Sequence, residues 1–261
     1  MLGMEIPKQW DDAVKKQHLE NRDKITLGLT KEFGIQDFEQ KKKNFVDLGN
    51  AFPSVVAFHN IFFRQCRRAF VMGAYYPALT GITTLTERVL NHLIFLLRDS
   101  FTSTLEYKEV RGGSIVDWDK LTRILEAWDC LLPESKKPIK ELKKLRHRYA
   151  AHFNPVTDTK DRELALEGMQ AFQELIRIQF GSMGKQPWFI SGTKGEFFIK
   201  RDHERHPFVR NIYIPNSVLV GPNFTLEYAP TGWLVRDEMR YEKREITDKE
   251  FMDLRDKFKG K

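Results

Sequence analysis

The sequence contains only two cysteines among 261 residues, Cys66 and Cys130. Two thiols exclude a disulfide-rich scaffold and a four-cysteine zinc site. Both cysteines lie in apolar, helix-like runs, which predict reduced structural residues. No hydrophobic run approaches the ~18 residues that a membrane span requires, and residues 1–12 turn polar and acidic too early for a secretory signal. These features predict a soluble, cytoplasmic protein that is not associated with a membrane.

The common catalytic signatures are also missing. The chain has no GxxxxGK[ST] phosphate loop, no GxGxxG dinucleotide motif, no HExxH zinc motif and no GxSxG nucleophile elbow. Its seven histidines are scattered, and no group of histidines and carboxylates has the spacing of metal ligands. We therefore predict neither a metal site nor a cofactor.

The hydrophobic pattern that is present changes character near residue 184. Before that point the apolar residues recur with a helical period, and after it they alternate between turn residues. The predicted fold class is mainly α: a helical bundle followed by a small C-terminal α+β module with an antiparallel sheet. The predicted domains are an N-terminal helical extension (1–49), the bundle (50–184) and the α+β module (185–261).

Within the first two regions, glycines and prolines mark the predicted helix ends. Residues 100–115 are predicted to form a loop because of the Gly-Gly-Ser sequence near their end. The predicted helices cover about residues 7–33, 37–48, 77–98, 117–131, 138–154 and 158–180, with one more beginning at Pro53. The predicted strands of the last region are PWFIS, EFFIK, FVRNIYI, SVLV, FTLEY and GWLVRD, which suggest a sheet of five or six strands.

Positive charge is concentrated in one segment of the bundle. The whole chain has 43 Lys+Arg against 36 Asp+Glu, a net charge of +7. Residues 136–148 contain seven of these cations and a single acid, Glu141, which leaves a local charge of +6. Such a helix favours a polyanionic partner. The alternative is an ordinary solvated helix face.

The end of this basic segment, RHRYAAH, combines permanent cations with histidine. On a regular helix Arg146 and His152 are about 120° apart in azimuth and about 9 Å apart along the axis. Arg148 and His152 are four residues apart and share a face if the helix stays regular. The small residues Ala150 and Ala151 beside His152 suggest the close approach of another element, such as a second subunit.

The stretch LRHRYAAHF resembles the signature of the HEPN superfamily, which is an arginine, a polar residue and a histidine four to six positions after the arginine. In this resemblance Arg146 is the motif arginine, His147 the polar residue and His152 the motif histidine. The sequence ALTGITTLTERVLNHL resembles the helix that packs against the motif in this superfamily, and it places Glu87 and Arg88 beside it. The resemblance covers roughly residues 50–180. His147 departs from the more usual Asn or Asp, and Arg148 offers a competing register.

The resemblance implies a metal-independent endoribonuclease of a defence or toxin–antitoxin system, in which two protomers line one cleft with their motifs. RNA supplies its own nucleophile, the ribose 2′-hydroxyl. His152 would then act as general acid or base, Arg146 would stabilise the transition-state charge, and His147 would orient the phosphate. The products would carry 2′,3′-cyclic phosphate and 5′-hydroxyl ends.

The remaining predicted roles surround these three residues. Lys140, Lys143, Lys144 and Arg148 are predicted to guide the RNA, and Tyr149 to stack on a base. Glu87 and Arg88 are predicted to support the motif from behind. A neutralising or sensor protein is a further expected partner. The alternative function is a non-catalytic HEPN-like module that mediates dimerisation and docks nucleic acid or an acidic protein. A DNA-binding regulator would need a helix–turn–helix, which the sequence does not show.

Overall fold

The structure of the chain is a computed structural model, and it is mainly helical. It describes residues 2–51, 54–56, 59–113, 115–150, 160–181, 186–189, 199–217, 224–229 and 232–237, together with Lys249 and Asp253. The α-helices are α1 (Asp12–Phe33), α2 (Phe38–Leu48), α3 (His59–Val71), α4 (Tyr75–Leu97), α5 (Leu105–Val110), α6 (Trp118–Ala127), α7 (Lys136–Leu145), α8 (Asp161–Leu175) and α9 (Ile214–Asn216). The strands are β1 (Phe224–Ala229) and β2 (Gly232–Asp237).

Local sequence signals account for the ends of α1 and α2. The Asp11 carboxylate accepts a hydrogen bond from the Ala13 N–H and so caps the start of α1. Gly34 and Gly49 follow the two helices with φ angles of 75° and 68°, which favour glycine because it has no Cβ. Both glycines end their helices as the sequence predicts.

Helix α4 lies at the centre of the core. It packs most extensively on α3 and α8, and α7 packs in turn on α8. The helices approach closely at Gly168 of α8, where an added Cβ would lie 3.1 Å from Leu79 and 3.3 Å from Ile82. The buried residues of α4 are Ala78, Leu79, Ile82, Thr83, Leu85, Thr86, Val89, Leu90, Leu93, Ile94 and Leu97. Their helical spacing leaves an outer face that includes Arg88.

A buried polar residue attaches α2 to this core. The Asn44 side-chain amide is fully buried and donates to the carbonyls of Phe70 and Val71, both at 3.2 Å. Its carbonyl oxygen accepts from the Nε–H of Arg162 at 2.9 Å, and Arg162 also pairs with Asp47 of α2. One amide therefore connects α2, the end of α3 and α8.

The segment predicted as a loop, residues 100–115, is partly helical. A 3₁₀ turn (Arg98–Phe101) extends α4, and α5 follows after Thr104, whose hydroxyl accepts from the Tyr107 N–H. The Phe101 ring stacks on Trp128 with ring centroids 4.7 Å apart. The loop prediction was wrong because the glycines that suggested it stand only at the end of the segment.

The predicted fold class is wrong in its second half, because the described part of the chain contains no sheet of five or six strands. The segment FVRNIYI forms a π-helical turn (Val209–Tyr213) that continues into α9. Its buried residues Phe208, Val209, Ile212 and Tyr213 follow a helical spacing and do not alternate. Strands β1 and β2 form a two-stranded antiparallel hairpin. Most of the other strand candidates lie outside the described residues.

The helical segment beyond residue 184 packs directly on the bundle. Phe208 lies 6.1 Å from Phe180 between ring centroids, and the Tyr213 hydroxyl donates to the Gly181 carbonyl at 2.6 Å. Burial raises the pKa of the Tyr213 hydroxyl well above its usual value. The domain boundary at 184 stays a prediction. Among the described helices, none is both long and apolar enough to span a membrane.

Candidate nucleic-acid interface

Helix α7 carries the basic segment and has a clear inner side. Pro138, Ile139, Leu142 and Leu145 are buried against the bundle. After Leu145 the helix widens into a π-helical turn, Arg146–Ala150. Single π turns are rare and are frequent at functional sites. The turn coincides with the start of the RHRYAAH motif, so the regular-helix geometry expected for the motif does not apply to its first five residues.

Arg146 faces inward from this turn. Its guanidinium pairs with the Glu87 carboxylate of α4 and lies over the Trp118 ring, 5.6 Å from the ring centroid. The Trp118 indole N–H donates to the same Glu87 oxygen at 3.4 Å. The Arg146 side chain remains 25% exposed, so a ligand in solution can still reach it. Glu87 therefore contacts Arg146, and its supporting role at the motif stays a prediction.

Helix α6 neutralises one flank of α7. Lys136 pairs with Glu126, and Lys143 pairs with Asp119 at 2.5 Å. Lys143 was predicted to bind RNA together with Lys140, but its ammonium points toward α6. The local charge of +6 thus overstates the charge that α7 presents to solvent.

The outer face of α7 carries a basic stripe. Its members are all exposed, and each lies three or four residues from another member: Lys137, Lys140, Lys144, His147 and Arg148. Lys140 and Arg148 have no ion-pair partner among the described residues. Lys144 pairs with Glu141 at 3.1 Å. We call these five residues the basic stripe.

Glu141 also connects the basic stripe to α8. Its carboxylate is hydrogen-bonded to Glu167, and this contact is the largest cause that raises the pKa of Glu167 above its usual value. The same hydrogen bond is the largest cause that lowers the pKa of Glu141, and Lys144 and Lys137 also lower it. Two carboxylates in contact share a proton more readily than they both ionise. The contact therefore favours the proton on Glu167 over the proton on Glu141.

Two predicted site residues lie away from the Arg146 cluster. Tyr149 is half-buried and packs against the hydrophobic core. Arg88 lies over the Phe62 ring, 4.9 Å from its centroid, on the other side of α4 from its buried stripe.

Arg88 also acts on a buried histidine pair. His59 Nε2 lies 3.0 Å from His92 Nδ1 between α3 and α4. Burial, together with the charges of His92 and Arg88, lowers the pKa of His59 to about 3. The pKa of His92 is lowered by burial and by Arg88. Both rings are therefore neutral near pH 7.

The third motif residue, His152, lies outside the described residues. The structure therefore brings together Arg146, Glu87 and the basic stripe, and it gives no position for the predicted acid or base. Among the described residues, no group of three or more His, Cys, Asp or Glu side chains is arranged to hold a metal ion.

Sequence reasoning missed Trp118 as part of this site. A tryptophan at the start of a helix is usually core material, and Trp118 is indeed only 2% exposed. The only sequence signal for its position was that it directly follows Asp117, a typical residue for a helix start. The Asp117 carboxylate accepts from the N–H groups of Asp119 and Lys120 and so caps α6. Contact with Arg146 requires α4, α6 and α7 to pack together.

No family model, curated protein or solved structure matches the chain. The function is therefore inferred from the residues themselves.

Proposed function

We propose that this protein is a metal-independent endoribonuclease of the HEPN type, active in the cytoplasm as a homodimer in a defence or toxin–antitoxin system. The observation that carries the proposal is the position of the motif arginine. Glu87 holds Arg146 on the inner side of the turn that follows α7. The exposed basic stripe lies on the outer side of the same helix and turn. A fixed, partly exposed guanidinium next to exposed basic side chains suits the binding of a phosphodiester.

The chemistry needs few groups because the RNA brings its nucleophile. A base removes the proton from the 2′-hydroxyl, the oxygen attacks the adjacent phosphorus, and the 5′-oxygen leaves with a proton. His152 is the proposed proton-transfer group. Arg146 has five N–H donors, and those not bonded to Glu87 remain for the phosphate oxygens. His147, exposed on the same turn, is proposed to orient the phosphate.

The basic stripe is proposed to bind the RNA backbone. From Lys137 to Arg148 it extends roughly 15 Å along the helix, using a rise of about 1.5 Å per residue. Such a row of cations contacts phosphates without reading bases, so it suits single-stranded RNA of mixed sequence. The stripe refines the sequence prediction, because Lys137 belongs to it and Lys143 does not.

Lys140→Ala and Lys143→Ala form a matched pair that tests this assignment. Each variant removes one positive charge from α7, but only Lys140 points to solvent without an ion-pair partner among the described residues. For single-stranded RNA, Lys140→Ala is expected to reduce the slope of log K against log salt by about 0.7, whereas Lys143→Ala leaves the slope nearly unchanged. Binding titrations at several salt concentrations measure both. Equal changes in slope would show that the RNA does not follow the basic stripe.

The direct test of the function is cleavage without metal. The purified full chain is incubated with total RNA and with tRNA in excess EDTA, beside a mock preparation from cells that lack the protein. We expect cleavage by the protein alone and products with 2′,3′-cyclic phosphate and 5′-hydroxyl ends. Cleavage that requires a divalent ion, or products with 3′-hydroxyl ends, would contradict the proposal.

A second candidate function rests on the same ion pair. Because Arg146 is already bonded to Glu87, the pair also suits a structural role in a non-catalytic module that binds RNA or an acidic protein through the basic stripe. This module would bind RNA with the same dependence on Lys140 and would not cleave it under any condition. The EDTA assay separates the two functions, because the salt titration is expected to give the same result for both.

A further inference from the structure

Two residues, Glu87 and Trp118, contact the Arg146 side chain and also contact each other. Glu87 pairs with its guanidinium, the Trp118 ring lies beside it, and the Trp118 indole N–H donates to the Glu87 oxygen that Arg146 contacts. One carboxylate oxygen thus joins the guanidinium and the indole. These contacts restrict the Arg146 side chain to conformations in which its guanidinium stays beside Glu87.

A separate set of contacts fixes Trp118. The Asn91 side chain accepts from the Ile115 N–H at 2.7 Å and donates to the Ile115 carbonyl at 2.9 Å. Asn91 stands one helical turn after Glu87 on α4, so the same helix holds both the carboxylate and the segment that leads to Trp118. The Asp117 cap then sets the first turn of α6 and with it the position of the indole.

The ring and the N–H group of Trp118 act on Arg146 in different ways. The aromatic face attracts the cation and excludes water from one side of it. The N–H group holds the carboxylate that would otherwise be free to rotate about its own side-chain bonds. The Arg146 side chain is still 25% exposed with both contacts in place, so a phosphate can reach the guanidinium from solvent.

We propose that Trp118 is a positioning residue for Arg146, and its effect on catalysis rests on the proposed ribonuclease function. Trp118 does not touch the substrate. It determines where the guanidinium stands when the phosphate arrives, and misplacement of such a group slows the chemical step more than it weakens RNA binding.

Trp118→Phe and Trp128→Phe are a matched pair for the test. Trp128 is also buried, at 3% exposure, and its indole N–H also donates one hydrogen bond, to the Thr104 hydroxyl at 3.1 Å. Each variant keeps an aromatic ring and loses one buried N–H bond, but only Trp118 contacts the Arg146 cluster. Trp118→Phe is expected to lower kcat about tenfold with RNA affinity unchanged. The Glu87 carboxylate, which holds the Arg146 guanidinium, loses its hydrogen bond from the indole N–H in this variant. Trp128→Phe is expected to keep the wild-type kcat.

An NMR measurement tests the positioning without any cleavage. The Nε–Hε signal of Arg146, assigned by its disappearance in Arg146→Lys, reports how well the guanidinium is held. Exchange of this proton with water is expected to rise severalfold in Trp118→Phe and to stay at the wild-type rate in Trp128→Phe.

The outcomes separate the two proposals. Equal kcat in both tryptophan variants, or an unchanged Arg146 exchange rate in Trp118→Phe, would overturn the positioning role of Trp118. If the wild-type protein cleaves no RNA, the ribonuclease proposal fails. The exchange rates still decide whether Trp118 positions Arg146.

Discussion

Replacing Arg146 with alanine is expected to lower kcat for RNA cleavage by about 10³-fold, the scale seen when one preorganised donor to transition-state charge is removed. The effect is large because Arg146 is held in place by Glu87 and Trp118 before substrate binds, so no free energy is spent on ordering it during the reaction. Single-turnover cleavage of an end-labelled RNA measures the chemical step directly. RNA affinity should fall only a few-fold, because the basic stripe is intact.

Arg148→Ala is the matched control for this variant. Arg148 lies two residues away on the same π-helical turn, carries the same charge and is exposed with no ion-pair partner among the described residues. Its loss is expected to weaken RNA binding and to leave kcat nearly unchanged. The reverse result, with kcat lost in Arg148→Ala and retained in Arg146→Ala, would assign the motif arginine to Arg148. Similar large losses of kcat in both variants would contradict the proposal that only Arg146, the arginine held by Glu87, acts in the chemical step.

The proposed acid or base predicts a loss of similar size. His152→Ala is expected to reduce kcat by about 10²–10⁴-fold, the usual contribution of a positioned proton-transfer group. The same single-turnover assay measures this loss. It compares the removal of the proposed proton-transfer group with the removal of the proposed charge-stabilising group, Arg146.

Replacing Asn44 with alanine is expected to reduce the free energy of unfolding by about 3 kcal/mol, because several hydrogen bonds inside the core are lost at once. The carbonyls of Phe70 and Val71 lose a donor, and the Nε–H of Arg162 loses an acceptor. These groups lie where α2 meets α3 and α8, so water does not replace the amide without opening the core. Urea denaturation followed by circular dichroism measures the change.

Gln40→Ala provides the control for the Asn44 variant. Gln40 is exposed, and its amide donates to the Asn44 carbonyl oxygen at 2.9 Å, so its removal takes one bond from the same network without leaving a buried group unpaired. Its effect is expected to stay below about 0.5 kcal/mol, as for most surface substitutions. A loss of less than 1 kcal/mol in Asn44→Ala would show that Asn44 does not hold α2 to the core.

Features set by short-range chemistry were predictable from the sequence. Gly34 and Gly49 end their helices because a positive φ angle costs glycine little, and this preference does not depend on the rest of the fold. The apolar spacing of α4 gave its buried stripe, because a helix that buries one side repeats its apolar residues every three or four positions. The sequence also identified the basic segment and its neighbour Glu87.

The segment FVRNIYI shows where sequence patterns were insufficient. Its residues have high strand propensity, and that propensity predicted a strand. Burial of Phe208, Ile212 and Tyr213 against the bundle instead favours a helix, because tertiary packing outweighs the small differences in intrinsic preference. The predicted α+β module was wrong for this reason.

The sequence alone predicted most of the long helices, the ends of α1 and α2 and the segment that carries the positive charge, because these properties depend on neighbours along the chain. Only the tertiary structure decided that Lys143 faces Asp119 while Lys140 faces solvent, and that Trp118 meets both Glu87 and Arg146. Those contacts join residues of α4, α6, α7 and the turn after α7 that are at least 24 positions apart in the sequence. Ion pairing and burial depend on distances in space, and a sequence pattern does not contain those distances.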